Sequence, residues 1–268
     1  MKAKIYVVSH KNLSLPNDDL YYPIQVGDKR HRNSGYLQDD IGENMAAKNA
    51  YYCELTAQYW IWKNQSADIQ GIVHYRRFFA NYMGKNKVMT DKPFDFILQA
   101  GLLQETLAKY DMILPPKETF FEANLWLHYR FQHHIVCFKA VQNVIEEAYP
   151  DYIAAFEKVM FHQRSAHMYN MFIAQRHVFT EYSEWLFDVL KKVENIIDIS
   201  SYSAYEQRVY GFLSEFLLNI WVTKNNINTI EIPLVLTEHR NYLTEGIEFF
   251  RRRMNDISRV DKYNSRKS

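Results

Sequence analysis

Two short apolar runs, separated by a helical stretch, constrain the fold of this chain more than any other feature. Residues 4–9 alternate and are rich in β-branched side chains, and residues 69–74 form a second strand-like run. Between them, residues 43–64 repeat apolar side chains at spacings of three and four, which is typical of an amphipathic helix. Strand, long loop, helix and strand begin a βαβ unit, so the sequence predicts a mainly parallel sheet flanked by helices.

The rest of the chain continues the α/β pattern. We expect strands over 111–115, 168–174 and 229–236, helices over 94–109, 177–194 and 211–225, and one long helix or a broken pair over 122–148. Ser203 and Glu206 fit a capping box, which predicts that a helix begins there. Because no repeat or linker is visible, we expect one domain over residues 1–240 with a helical C-terminal part, followed by a tail over 241–268.

Composition narrows the classes of function. Lys and Arg total 32 and Asp and Glu total 31, so a dedicated nucleic-acid-binding protein is not expected. Cys53 and Cys137 form no disulfide framework, which favours a reducing cytoplasm. No apolar run is long enough for a signal peptide or a membrane span, so we expect a soluble protein.

Polar side chains follow both predicted strands of the βαβ unit. They are Ser9, His10 and Lys11 after the first strand, and His74, Tyr75, Arg76 and Arg77 after the second. Ligands of open α/β sheets bind beyond the carboxyl ends of the strands, so these residues form a candidate site. Two adjacent guanidiniums suit a phosphate or carboxylate ligand; the alternative is that Arg76 and Arg77 pair with surface acids.

A second stripe of helical period lies on residues 43–64. Its members are polar but carry little net charge: Asn44, Lys48, Tyr52, Thr56, Tyr59 and Lys63. Either this is a solvated helix flank or it is a functional surface.

Glu215 is the most informative carboxylate, because it lies among apolar residues at the start of a predicted helix. A carboxylate in the first turn is stabilised by the helix N-terminus, which would make Glu215 a cap. An apolar environment would instead raise its pKa, which suits a general base.

Several common signatures do not occur in the sequence, including GxGxxG, GxxxxGK[ST], HExxH, CxxC and Asp-x-Asp. His128, His133 and His134 miss the spacing of four that places two metal ligands on one helix face, so we interpret them as ordinary helix residues. No metal site is predicted.

The tail carries Ile247, Phe250, Met254 and Ile257 at helical spacing, beside Arg251, Arg252 and Arg253. A basic amphipathic helix of this kind either lies on an anionic membrane surface or packs on its own domain.

Several blocks together resemble the DUF4422 family. They are Tyr6-Val-Val-Ser-His-Lys11, Pro23-Ile-Gln-Val-Gly27, Gly42-Glu-Asn44, Tyr52-Cys-Glu-Leu-Thr56, Gly71 with His74-Tyr-Arg-Arg77, and Gly211-Phe-Leu-Ser-Glu215. Those bacterial proteins occur among capsule, exopolysaccharide and O-antigen synthesis enzymes and are taken to be glycosyltransferases. The similarity runs from about residue 3 to about residue 236. Phe216 departs from the pattern, since many relatives have a basic residue there.

The resemblance implies a GT-A-like, Rossmann-related fold and a cytoplasmic hexosyltransferase that uses a nucleotide-sugar. The donor-binding residues implied are Ser9, His10, Lys11, Gln25, Val26, Gly27, Asn44, Lys48, His74, Tyr75, Arg76 and Arg77. The hypothesis is that Arg76, with Arg77 and Lys48, neutralises the donor diphosphate in place of a metal ion, so no cofactor is expected. Glu215 would act as the base of an inverting single displacement.

The resemblance also implies the partners. The donor would be a UDP-sugar, with UDP-galactofuranose as one candidate, and the acceptor a glycan or a lipid-linked oligosaccharide at the inner membrane surface. Two other classes of function stay open at this point. One is a non-catalytic nucleotide- or carbohydrate-binding module of a polysaccharide assembly complex. The other is an RNA-associated α/β protein, which the near-zero net charge disfavours.

Overall fold

A computed structural model describes residues 2–11, 16, 18–27, 32, 35–84 and 88–238 of the chain. The strands are β1 (Ala3–Ser9), β2 (Tyr21–Gln25), β3 (Leu37–Gln38), β4 (Ile69–His74), β5 (Arg77–Phe79), β6 (Val88–Met89), β7 (Met112–Leu114), β8 (Glu118–Thr119), β9 (Ser165–Ala166), β10 (Phe172–Gln175), β11 (Thr229–Glu231) and β12 (Leu234–Leu236). The helices are α1 (Asn49–Tyr52), α2 (Leu55–Asn64), α3 (Ala100–Leu107), α4 (Leu125–Gln132), α5 (Ile135–Ala148), α6 (Ile153–His162), α7 (Arg176–Glu194) and α8 (Val209–Asn225).

The main sheet has the strand order β11-β7-β10-β4-β1-β2-β3. Strand β1 pairs in parallel with β2 and β4, whereas β10 runs antiparallel to both β4 and β7. Strands β5, β6 and β12 extend the sheet on one side of this path. The predicted βαβ start and the mixed α/β fold with a mainly parallel sheet are therefore confirmed.

Apolar side chains fill a core on each face of the sheet. In β1, Tyr6 and Val8 point to one core while Ile5 and Val7 point to the other, because successive strand residues face opposite sides. Helices α5 to α8 supply most of the first core, and α3 contributes Leu103 and Leu107 to the second. Burial on both faces explains why the strands read as nearly continuous apolar runs.

Gly71 permits a close contact at the centre of the sheet. A Cβ atom at this position would lie 2.6 Å from Cγ1 of Ile173 on the neighbouring strand β10. A side chain at residue 71 would therefore separate β4 from β10, and β4 carries the candidate site at its carboxyl end.

The predicted helix over residues 43–64 is wrong as a single element. A 3₁₀ turn (Ala46–Lys48) leads into α1, and the chain then breaks at Cys53, whose φ of 54° lies in the left-handed region. The periodic pattern did not signal this break. It depends on a tertiary contact, since Cys53 packs against Gly211 of helix α8.

Several other predicted elements differ in their limits. The strand predicted over 168–174 is β10 (Phe172–Gln175), and the helix predicted over 94–109 is α3 (Ala100–Leu107). The predicted strand over 229–236 divides into β11 and β12 around Pro233, which has no N–H to donate to a ladder. Ser203 and Glu206 form the capping hydrogen bonds, with Ser203 Oγ donating to Glu206 Oε2 at 2.7 Å, but helix α8 begins only at Val209. Residues 122–148 form the broken pair α4 and α5, with His134 preceding α5.

No helix within the described ranges is long and apolar enough to cross a membrane. The tail over 241–268 lies outside the described residues, so its membrane and packing alternatives stay predictions, as does the domain limit at residue 240.

Candidate active site

The carboxyl ends of β1, β2 and β4 lie at one edge of the sheet, as the sequence predicts. Ser9 is paired in register with Gln25, and Val8 with His74. The Ser9 hydroxyl is buried and accepts a hydrogen bond from the Lys11 backbone N–H at 3.0 Å, which turns the chain over this edge. His10 and Lys11 are thereby exposed at the edge beside the residues that follow β4.

Cationic side chains surround Tyr75 at this edge. The His10 ring meets the Tyr75 ring edge-on, with 5.5 Å between the centroids. Lys11 Nζ lies 5.4 Å and the Arg76 guanidinium 5.0 Å from the Tyr75 ring centroid. Partial shielding from solvent and nearby positive charges lower the pKa of His10, the charges belonging to Lys11, Arg76 and Arg208. We call Lys11, Arg76 and Arg208 the cationic edge; His10 lies among them and is mainly uncharged at neutral pH because its pKa is lowered.

Arg76 forms an ion pair with Glu238. The pair is 3.8 Å apart, and its side chains are 50% and 45% exposed. An ion pair this open to solvent contributes little to stability, so Arg76 can exchange Glu238 for a ligand anion at small cost.

Arg77 points to a different place from Arg76. Its guanidinium lies 4.2 Å from the ring centroid of Tyr169, and Tyr169 in turn links three further side chains. The Tyr169 hydroxyl donates to Glu118, and its backbone N–H donates to Glu215 Oε1 at 2.9 Å. His74 Nε2 is 2.5 Å from the Tyr169 carbonyl oxygen, which can only accept, so Nε2 carries the proton.

The backbone that holds these contacts is strained. Tyr169 has a φ of 78°, in the left-handed region that bulky residues rarely adopt, and Asn170 follows with a φ of 50°, which asparagine adopts more readily. Such strain persists only where surrounding contacts enforce it, and it concentrates at functional sites. Three hydrogen bonds of the Asn170 side chain hold this backbone conformation. The side-chain amide donates to Glu54 Oε1 at 2.7 Å and to the Gly211 carbonyl at 3.0 Å, and its oxygen accepts from Ser214 Oγ at 2.8 Å.

Glu215 is surrounded by other acids. Burial, together with the negative charges of Glu54 and Glu118, raises its pKa to about 8, although the Tyr169 N–H and Arg77 act in the opposite direction. We call Glu54, Glu118 and Glu215 the acid cluster. A carboxyl with a pKa near neutrality is suited to take up and release a proton.

The alternative that Glu215 caps a helix is wrong. Helix α8 begins at Val209, and its first turn contains no acidic residue. Glu215 therefore lies in the second turn, where it faces Tyr169 instead of satisfying N–H groups at the helix start.

Two sequence blocks of the resemblance meet at the acid cluster. Tyr52 stacks on Tyr210 with 4.4 Å between the ring centroids, and Cys53 Sγ accepts from Arg208 Nε at 3.0 Å. A Cβ atom on Gly211 would lie 3.2 Å from Cys53 Sγ, so glycine permits this close packing. Burial raises the pKa of Cys53 to about 11, so its thiol stays protonated.

The other sequence-predicted donor residues occupy varied positions. Gln25 is buried and accepts from Gln38 Nε2 at 3.2 Å, while Val26 N–H donates to the Ser9 carbonyl at 3.0 Å. Gly27 has a φ of 78° and packs against Asn49.

Asn44 and Lys48 contact residues outside the site. Asn44 is exposed and stabilises its own loop by donating to the Gly42 carbonyl at 2.8 Å. Lys48 Nζ pairs with Glu194 at 2.6 Å, at the end of helix α7. The predicted role of Asn44 in donor binding and that of Lys48 at the diphosphate therefore gain no geometric support.

Sequence reasoning missed five residues of the site: Glu54, Glu118, Tyr169, Asn170 and Arg208. Glu54 lies inside the Tyr52-Cys-Glu-Leu-Thr56 block, so that block was a usable signal. The other four become recognisable only when distant segments meet at Glu215 and His10. Among the described residues, no group of three or more His, Cys, Asp or Glu side chains is arranged to hold a metal ion. Metal independence stays a prediction.

The fold and the edge site define a class. The strand order, the crossing antiparallel strand and the polar carboxyl edge form a GT-A-like architecture. The apo structure of WbbM, a bifunctional glycosyltransferase, superposes with a TM-score of 0.82 at 29% sequence identity. The match covers 89% of this chain and 46% of the WbbM chain, so this chain spans less than half the length of WbbM.

The chain belongs to the DUF4422 family, a domain of unknown function whose family model matches residues 4–226. No curated protein sequence matches the chain.

Proposed function

We propose that this protein is a glycosyltransferase that moves a sugar from a nucleotide-diphosphate sugar to a glycan acceptor. One observation carries the proposal: Glu215 and the cationic edge lie at the same edge of the sheet. Glu215 is a buried carboxyl with a pKa of about 8. The similarity to WbbM supports the class of reaction.

In the proposed reaction the acceptor hydroxyl attacks the anomeric carbon of the donor from the face opposite the diphosphate. Its proton moves to the Glu215 carboxylate as the new carbon–oxygen bond forms. The bond between the anomeric carbon and the diphosphate oxygen breaks, and the nucleoside diphosphate leaves with the electron pair. The result is a single displacement with inversion.

The cationic edge supplies the charge that the leaving diphosphate needs. Fixed cations stabilise developing negative charge because they need no reorganisation as the bond breaks. Arg76 and Arg208 are the guanidiniums in this proposal, with Lys11 beside them. Arg208 replaces Lys48, whose ammonium pairs with Glu194. The proposed site uses no metal ion.

The finer identity of the substrates follows the family resemblance. We propose a UDP-sugar donor, with UDP-galactofuranose as the first candidate. The acceptor would be a growing capsule, exopolysaccharide or O-antigen glycan at the cytoplasmic face of the inner membrane. Ser9, Gln25, Val26 and Gly27 would contact the base and ribose.

The test is a panel of nucleotide-sugars, UDP-galactofuranose included, scored by thermal shift with and without EDTA. A ligand that binds only the folded chain raises the melting temperature, so no acceptor is needed. We expect one UDP-sugar to stabilise the chain equally with EDTA and then to be transferred or slowly hydrolysed. A shift that EDTA abolishes would refute the metal-free site. Donor binding without transfer or hydrolysis would make the chain a binding module.

A further inference from the structure

A groove between helices α2 and α7 is lined by no residue of the cationic edge or the acid cluster. Its cavity volume is about 890 Å³, which is within the range of small-molecule sites. Six aromatic residues line it: Tyr52, Tyr59, Trp62, Tyr149, Trp185 and Phe187. We call this cavity the aromatic groove.

The rings of the groove form a rigid wall. Trp62 stacks on Phe187, with the ring planes 5° apart and the centroids 5.9 Å apart. Tyr59 meets both rings edge-on, at interplanar angles of 89° and 88°. Mutual packing of this kind fixes the rings as one aromatic wall, and Lys63 Nζ lies over it, 3.6 Å from the Trp62 ring centroid. A sugar ring has C–H bonds on its faces and hydroxyls around its rim, so it can pack on such a surface.

The polar rim of the groove is almost neutral. Three lysines and four carboxylates line it, and its closest pair is Lys48 with Glu194 at 2.6 Å. Tyr52 Oη also donates to Glu194, at 3.2 Å. A nucleotide or an anionic lipid headgroup would find no excess of positive charge here, in contrast to the cationic edge. A neutral polyhydroxylated ligand can use both the donors and the acceptors of this rim.

Trp185 contributes a rigid ring to the groove. It is 6% exposed, and its ring stacks on Tyr152 with 4.8 Å between the centroids. Its indole N–H has no acceptor within the part of the chain that the structure describes, but this N–H is shielded from solvent, so a ligand in the groove would contact the ring and not the N–H.

The groove also accounts for the polar stripe on residues 43–64. Lys48, Tyr52, Tyr59 and Lys63 of that stripe line the groove. The two lysines of the stripe are balanced by carboxylates of helix α7, and Lys48 pairs with Glu194.

We propose that the aromatic groove binds a neutral sugar unit of the glycan acceptor, away from the reacting hydroxyl. This inference rests on the proposed function for the identity of its ligand. The two sites are neighbours along the chain. Tyr52 lines the groove, Cys53 contacts Arg208 of the cationic edge, and Glu54 belongs to the acid cluster.

Binding of neutral oligosaccharides in the absence of donor tests the proposal. The probes are maltopentaose, cellopentaose and β1,4-galactotetraose, observed by saturation-transfer NMR. Stacking on rings tolerates different sugars, so we expect millimolar binding of at least one probe. Trp62→Ala should weaken it at least about tenfold, and Trp185→Phe, which keeps the ring but removes the N–H, should weaken it less. Phe96→Ala removes an exposed aromatic ring outside the groove and is the matched control.

Three results would overturn the proposal. They are binding of none of the probes, equal binding by Trp62→Ala with an unchanged melting temperature, and a dimer of the chain that Trp62→Ala dissociates. Failure of the proposed function is distinguishable, because nucleotide-sugar binding needs the cationic edge and not the groove. Trp62→Ala should keep the donor-induced thermal shift and raise only the KM for a glycan acceptor.

Discussion

The cationic edge and the acid cluster lie on the same side of the sheet, but they differ in their exposure to solvent. The Arg76 side chain is 50% exposed, and the side chain of Glu238, with which it pairs, is 45% exposed. Glu215 is held between Tyr169 and two other glutamates, and its pKa is raised to about 8. Charges in solvent keep their ordinary ionisation and exchange partners easily, whereas a buried charge acquires a new pKa. One region is therefore suited to hold an anion, and the other to move a proton.

Replacing the acid by its amide removes the proton acceptor and keeps the shape. We expect Glu215→Gln to bind the donor normally and to lose transfer by a factor of about 10² to 10⁴. In the parent chain, kcat/KM should rise with pH up to about 8, because only the ionised carboxylate accepts a proton. The residual kcat/KM of the variant should not show this rise with pH.

Glu157→Gln is the matched control, since Glu157 is exposed on helix α6. Near-normal transfer by Glu215→Gln, measured as product per unit time with saturating donor, would remove Glu215 from the reaction.

Removing a guanidinium from the cationic edge should have a smaller effect. We expect Arg76→Gln to weaken nucleotide-sugar binding and lower transfer by a factor of about 10 to 100, less than a fully buried donor would cost, because solvent screens this side chain. Titration calorimetry of UDP and rate assays at two salt concentrations measure the effect.

Arg176→Gln is the comparison variant. Arg176 is exposed and follows β10 at the opposite edge of the sheet. Equal losses in the two variants would mean that the edge acts only through overall charge.

The acid cluster should also appear in the stability of the protein. Below its ordinary pKa of 4.5, Glu215 is protonated whether the chain is folded or unfolded. Between that value and about 8, the unfolded chain ionises while the folded chain holds its proton, so the free energy of unfolding falls as pH rises. The slope from this one group is at most about 1.4 kcal/mol per pH unit.

In Glu215→Gln that slope should be absent, so the variant gains stability relative to the parent chain as the pH increases. Urea unfolding at several pH values measures the difference. Parallel curves for the two proteins would contradict a raised pKa.

The smallest expected effect concerns the contact between Gly211 and Cys53, which joins two sequence blocks of the family resemblance. Gly211→Ala places a Cβ atom 3.2 Å from Cys53 Sγ, which is tight, while alanine favours the helix by up to about 1 kcal/mol over glycine. The two terms oppose each other, so stability should change by less than about 1 kcal/mol while transfer falls. Adding Cys53→Ala should restore transfer if crowding is the cause. A full loss of folding would contradict this balance.

The fold was largely predictable because its signals are local. A few consecutive residues are enough to recognise the apolar runs of β1 and β4. The same is true of the helical period of α7. The acid cluster was not predictable, because the pKa of Glu215 depends on Glu54, Glu118 and Tyr169, which are distant in the chain. The break at Cys53 likewise depends on Gly211, and a helical period contains no information about that contact.

Strand β10 has a consequence for how such a chain can vary. Because β10 runs against its neighbours, its first residues emerge at the edge where β1 and β4 end, and the segment carrying Tyr169 and Asn170 enters the site from the opposite direction along the chain. The loops after β1 and β4 hold Lys11 and Arg76, whereas Arg208 precedes the helix that carries Glu215. The turn before β10 contacts the acid through the Tyr169 N–H and contributes no residue to the cationic edge. Substitutions in this turn can therefore change the basicity towards the incoming hydroxyl and leave the cations for the leaving group in place.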